Sequence, residues 1–194
     1  VRIVAGTLRG RAIATPADGA IRPTSDRVRE AAFNILAHGV DGFTITGCRV
    51  LDLFSGTGAL GLEALSRGAA FCLFVEEDAT ARGLIRRNIE AFGLTGTTRI
   101  YRRDATTLGP ALPRERFGLV MADPPYGKGL GEAALASAAA GGWLDPGALV
   151  VLEERAGTPI AWPPGFTLIA SRRWGDTEVH FAHWAPPADP EPSP

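Results

Sequence analysis

Residues 50–61 read VLDLFSGTGALG, an apolar run of strand length that enters a turn with glycine at 56 and 58 and continues into a helical segment, ALGLEALSRG. Glycine at those positions allows a left-handed backbone or the close approach of a ligand, and a helix starting there presents free amides to the loop. Strand, glycine loop and helix in this order open a sheet whose strands are joined by helical crossovers.

Downstream the alternation repeats. FCLFVEE at 71–77 is followed by a helical segment from about Ala79 to Phe92 and then by RIYRR, while FGLVMA at 117–122 is followed by an alanine-rich helix from about Gly131 to Ala140 and then by ALVVLEE. Runs such as LFV and ALVVL suit strands covered on both faces. The prediction is a Rossmann-like α/β domain with a mostly parallel sheet and helices on both faces. The last two runs, 166-FTLIASRRW-174 and 177-TEVHFAHW-184, meet at Gly175-Asp176 and read as a hairpin, so the last strand is expected to be antiparallel.

Upstream, residues 1–15 alternate apolar and polar around Gly6 and Gly10, as a short β-hairpin with solvent-facing arginines would. Residues 24–39 place Val28, Ala31, Ala32, Ile35 and Leu36 at helical spacing, with Thr24 or Ser25 as N-cap and Gly39 as stop. The expected organisation is a hairpin extension at 1–23, the α/β domain at 24–184, and a proline-rich, acidic, disordered tail at 185–194.

The formal net charge of −1 conceals an asymmetry: residues 1–29 carry +4 and the remainder −5. An anionic partner met at the N-terminal end is expected, with Arg9, Arg11 and Arg22 as its contacts. Cys48 and Cys72 lack the spacing of a metal site or a disulfide framework and read as reduced core residues, so no metal is expected. No apolar stretch approaches the ~20 residues that span a bilayer, and the start lacks the apolar core of a signal peptide, which predicts a cytoplasmic protein without a membrane partner.

Gly56, Gly58 and Gly61 fit the dinucleotide fingerprint, with Glu76 twenty residues after the first glycine, so an NAD(P)-dependent oxidoreductase is one reading. Asp52, four residues before Gly56, opposes a pyrophosphate at the loop and favours a cofactor with a cationic amino-acid end, such as S-adenosylmethionine. Glu76 can accept hydrogen bonds from a ribose diol in either case. Asp104 ends the third strand run, where it could accept from an adenine amino group or simply cap a helix.

The stretch 123-DPPYGK-128 ends the fourth strand run. Proline constrains both its own φ and the residue before it, so the Asp123 carboxylate and the Pro124 carbonyl are held in set directions. Two acceptors at one place grip an NH2 group, and Tyr126 adds a ring on which a base can stack.

Taken together, the glycine loop, Glu76, Asp104 and DPPY resemble S-adenosylmethionine-dependent amino-methyltransferases. The stretches 2-RIVAGTLRGR-11, 22-RPTSDRVREAAFNIL-36 and 58-GALGLEALSRGA-69 resemble the bacterial RsmD family, and the resemblance extends to about Phe181. It implies methylation of the exocyclic N2 amine of the guanine at position 966 of 16S rRNA, in a partly or fully assembled small ribosomal subunit, by a monomer. By the family pattern Asp52, Phe54, Gly56, Gly58, Glu76, Asp104 and Ala105 bind the cofactor, while Asp123, Pro124 and Tyr126 hold the guanine. Adenine N6 methylation of DNA or RNA is the alternative that DPPY also suits. Glutamine methylation of a release factor and a non-catalytic RNA-binding module are further readings, the first opposed by Asp123, where such proteins carry Asn, and the second by the complete loop.

Overall fold

A computed structural model describes residues 1–17 and 25–188. Among these, seven strands form one sheet: β1 (Arg49–Leu53), β2 (Phe71–Val75), β3 (Thr98–Tyr101), β4 (Phe117–Ala122), β5 (Leu144–Arg155), β6 (Phe166–Trp174) and β7 (Thr177–Trp184). Their order is β3-β2-β1-β4-β5-β7-β6. The pairs from β3 to β5 are parallel, and β7 runs antiparallel to both its neighbours. Because β2 and β3 extend one way from β1 while β4 and β5 extend the other, β1 and β4 border the switch point at which such sheets bind ligands.

The antiparallel strand lies inside the sheet rather than at its end. The two-residue turn at Gly175-Asp176 obliges β6 and β7 to pair with each other but leaves open which of them meets β5. Burial decides it: Val179, Phe181 and Ala182 of β7 are covered, whereas Leu168 and Ile169 of β6 are 47% and 40% exposed at the edge.

Side chains alternate between the two faces of the sheet. Val50 packs with Phe33, Leu62 and Ile85 beneath α1 (Asp26–His38), α2 (Ala59–Ser66) and α3 (Ala79–Phe92). Leu51 and Leu53 face the opposite cluster, with Leu135, Ala138 and Trp143, beneath α4 (Leu130–Ala140).

Helix α1 is capped by Ser25, whose side chain accepts from the Val28 amide at 3.2 Å. Its buried face carries Arg29 and Phe33 beside Val28, Ala32 and Leu36, so it is rotated from the face that apolar spacing predicts, which includes Ala31 and Ile35. The cause is a buried ion pair: Arg29 Nε donates to Glu63 of α2 at 3.3 Å, and both side chains are fully covered.

That same glutamate docks the N-terminal hairpin. Its carboxylate accepts from the amides of Val4 and Ala5 at 2.9 and 3.0 Å, and from Arg67 Nε at 2.8 Å. The hairpin itself is narrow, joined by the bridge between Arg2 and Ala12, with Ile3 and Ile13 buried beneath it. A Cβ on Gly6 would lie 1.8 Å from the Ser66 carbonyl oxygen, so only glycine permits this approach. The turn of the hairpin therefore sits at the C-terminal end of α2, one eight-residue helix, or ~12 Å, from the glycine loop.

Candidate active site

The loop after β1 is built by backbone geometry and two acids. Phe54 adopts φ +56°, rare for a residue with a side chain, and Gly58 caps α2 with φ +81°. Asp52 Oδ2 accepts from the Gly61 amide at 3.0 Å, and Ser55 Oγ donates to the Asp52 carbonyl at 2.7 Å. A Cβ on Gly61 would lie 2.5 Å from both Cys72 Sγ and a Phe74 ring carbon, so this third glycine lets α2 pack against β2. Glu76 closes the loop, its two oxygens accepting from the amides of Gly56 and Asp78, each at 2.8 Å.

Two adjoining clefts open at the carboxyl ends of the strands. The larger, of about 800 Å³, is walled by the glycine loop at Phe54 and Gly56, by Glu76, by Asp123 to Tyr126, and by the ends of β5, β6 and β7. Ser25 and Val28 of α1 close one side. The smaller, of about 620 Å³, runs from Glu76 to Arg103, Asp104, Ala105 and Thr106, and shares Phe54, Glu76, Asp78 and Pro125 with the first.

The structure thus brings Phe54, Gly56, Glu76, Asp123, Pro124 and Tyr126 to one cleft, and Asp104 and Ala105 to its neighbour. Asp104 also caps the short turn after it, accepting from the Thr106 amide at 2.8 Å. Asp52 and Gly58 lie behind these walls. The Asp52 side chain is 1% exposed, and burial, reinforced by the nearby Asp123 and Glu76 carboxylates, holds its pKa well above the ordinary value. Arg9 and Arg11 lie on the hairpin: Arg9 is exposed, while Arg11 donates to the Ala91 carbonyl at 2.6 Å and covers the Phe92 ring. Arg22 falls outside the described residues.

The turn after β4 is held by side chains from β5. Tyr126 Oη donates to the Glu153 carboxylate and lies 3.2 Å from Thr177 Oγ1 of β7. Burial, then the adjacent Glu153 carboxylate, raises the Tyr126 pKa, so the phenol stays protonated and donates. The next residue on β5, Glu154, accepts from the Gly127 amide at 2.9 Å. Neither glutamate was singled out by sequence reasoning. The available signal was a pair of acids closing the otherwise apolar run ALVVLEE.

Electrostatics favour a cationic ligand. The described walls of the larger cleft carry Glu76, Asp78, Asp123, Glu153 and Asp176 against one cation, Arg155. Such a surface repels a pyrophosphate and suits a sulfonium or an ammonium group. A ribose diol fits Glu76, whose oxygens have lone pairs beyond those engaged by the loop amides.

A family model described as "Conserved hypothetical protein 95" matches residues 1–183. The ribosomal RNA small subunit methyltransferase D of Haemophilus influenzae is 33% identical over 177 residues, spanning 90% of this chain and 89% of the relative. This chain is an RsmD-family methyltransferase. A solved methyltransferase of Escherichia coli, yhhF, superposes on the RsmD-family fold seen here with a TM-score of 0.80 at 31% identity, covering 95% of this chain and 98% of its own. A Thermus thermophilus 16S rRNA N2 G1207 methyltransferase, solved with AdoMet and guanosine, matches at TM-score 0.61 and 25% identity over 87% of this chain and 44% of its own.

Proposed function

We propose that this RsmD-family enzyme methylates the exocyclic N2 amine of a guanine in 16S rRNA of the small ribosomal subunit, with S-adenosylmethionine as donor. The observation that carries the reading is the meeting of Glu76 and the Asp123-Pro124 pair on one acidic cleft at the switch point of the sheet. The names of the Haemophilus relative and of the guanosine-bound Thermus protein support ribosomal RNA and a guanine amine as substrate.

S-adenosylmethionine supplies an electrophilic sulfonium methyl. Glu76 holds the ribose diol, and the carboxylates of the cleft favour the cationic end. A purine amine is a weak nucleophile because its lone pair is shared with the ring. Asp123, with the Pro124 carbonyl, accepts from the amine hydrogens and favours the tetrahedral nitrogen whose lone pair can attack in line. Asp123 is also the adjacent acceptor for the proton that the nitrogen sheds. Tyr126, tethered through its hydroxyl, offers a fixed face for the base. The guanine position, 966, follows the family resemblance.

The test is transfer of label from methyl-labelled S-adenosylmethionine to small subunits from cells lacking the enzyme, followed by digestion to nucleosides. N2-methylguanosine is expected. N6-methyladenosine would move the reading to an adenine amine, and absence of labelled nucleoside would overturn it.

A further inference from the structure

The cleft that suits a sulfonium cation is hostile to an RNA backbone. Its described walls hold five carboxylates and one arginine, so phosphates on either side of an inserted nucleotide need a cationic path at the rim. The turn of the N-terminal hairpin, which carries Arg9, sits about one helix length from the glycine loop, and Arg11 is engaged with Ala91 and Phe92. Opposite the α1 side, the rim is formed by the ends of β5, β6 and β7.

Strand register places a specific set of side chains there. Arg155, Thr177 and Trp174 form one row across the three strands, and Glu153, Val179 and Arg172 form the next. Residues of the two rows share the face of the sheet that α1 covers, since successive rows on one face are two residues apart. Arg155 and Trp174 line the cleft, and Thr177 and Glu153 touch Tyr126 within it. Arg155 and Arg172 are exposed, Arg172 donating to the adjacent Ser171 carbonyl at 2.9 Å, and Trp174 packs one side on the core while remaining partly exposed. Arg173 points to the other face, opposite Glu178, and is not part of this set.

We infer that Trp174, flanked by Arg155 and Arg172, is the surface that receives the single-stranded RNA next to the target guanine. A neighbouring base stacks on the indole, and the two guanidinium groups take the adjoining phosphates. The inference rests on the RNA-methyltransferase reading above. An aromatic ring with one arginine two residues along its strand and another across the sheet, continuous with a cleft that accepts one base, is an arrangement that binds unpaired nucleic acid through stacking and backbone charge. A duplex cannot present an extruded base and its unstacked neighbour at once, so the substrate segment is a loop or an opened helix.

The experiment uses the full chain and small ribosomal subunits from cells lacking the enzyme, with binding measured across a salt series and S-adenosylhomocysteine affinity measured beside it. Trp174→Leu keeps apolar bulk and loses the π face, so subunit binding is expected to weaken roughly 5- to 150-fold, with Trp174→Phe restoring most of it. Arg155→Gln with Arg172→Gln is expected to flatten the salt dependence of log K by about 0.7 per lost contact. S-adenosylhomocysteine affinity is expected to stay within about twofold of the parent. Parental subunit affinity and salt slope in these variants would overturn the inference while leaving the RNA reading intact. A parent protein that binds no subunits and methylates none would overturn the RNA reading itself. If Trp174→Leu weakens cofactor and subunit binding alike, the indole shapes the cleft rather than the RNA path, and the inference fails.

Discussion

Two hairpins in this molecule carry arginines, and they use them differently. In the N-terminal one, Arg2 Nη1 donates to the Gly10 carbonyl at 2.9 Å, Arg11 reaches Ala91, and Arg29 of the adjoining helix is buried against Glu63, while Arg9 is exposed. In the β6-β7 hairpin, Arg172 is exposed and donates only to the adjacent Ser171 carbonyl at 2.9 Å, and Arg155 of β5 is exposed on the wall of the cleft. Net charge along the chain nominates the N-terminal segment, and among the described residues of the two hairpins it is the second that lines the cleft. A count of arginines locates a basic segment but cannot say which guanidinium groups the fold ties to distant parts of the chain and which it leaves beside the cleft.

The sharpest way to break the contrast is through Glu63. Glu63→Ala removes the acceptor for Val4, Ala5 and Arg67 and the fully buried carboxylate partner of Arg29, leaving its guanidinium to Asp26 and the Arg2 carbonyl. Chemical denaturation should show a loss of about 3–5 kcal/mol. A loss below 1 kcal/mol would mean that the N-terminal arginine network is peripheral.

Next in size is Asp123→Ala, expected to lower turnover about 100-fold, near 2.7 kcal/mol, with S-adenosylhomocysteine affinity nearly kept. Asp123→Asn should be milder because its amide oxygen still accepts. Parental turnover in the alanine variant would remove Asp123 from the chemistry.

Tyr126→Phe keeps the ring and deletes the tether to Glu153 and Thr177. A loss of about 1 to 2 kcal/mol in kcat/KM for RNA is expected, with cofactor affinity unchanged. Equal kcat/KM would mean that the hydroxyl does not orient the ring.

The comparison is tested directly by Arg9→Ala with Arg11→Ala. If the two arginines contact phosphate, as their charge predicts, the salt dependence of subunit binding flattens by about 0.7 per contact; the position of the hairpin favours a smaller change than at Arg155 and Arg172. A larger change than at those residues would reverse the ranking of the two hairpins.

Smallest is a pH effect confined to the second hairpin. His180 of β7 contacts Ser171 Oγ through Nδ1 at 2.7 Å, and burial lowers its pKa despite nearby carboxylates. A base with a depressed folded pKa leaves stability intact above its ordinary value of 6.5 and reduces it as pH falls from there toward the folded value. The parent's melting midpoint should therefore drop more between pH 7 and pH 5 than that of His180→Gln. Parallel pH profiles would refute this.

Sequence periodicity was sufficient for the strand and helix alternation, the glycine loop and the placement of DPPY at a strand end, because each is a local pattern. What it missed depends on neighbours distant in the chain. Nothing local to α1 marks Arg29 as buried; Glu63, thirty-four residues later, is brought against it by the fold. Glu153 and Glu154 read as the polar end of a strand until β5 pairs with β4 and sets them under the DPPY turn. The place of β7 between β5 and β6 likewise follows from which strand has more apolar surface to cover.

The edge position of β6 has a further consequence for self-association. An edge strand displays unpaired amides and carbonyls that a second chain can extend into a continuous sheet. Here pairing with β7 slips between Leu168 and Ala170, so Ile169 is an extra residue and the strand bends at that point. Beyond the bend come Arg172 and Arg173, both exposed. A long, flat template is thereby cut into two short pieces, one interrupted by the bulge and the other guarded by positive charge, which are the devices that oppose strand-to-strand growth at an open sheet edge.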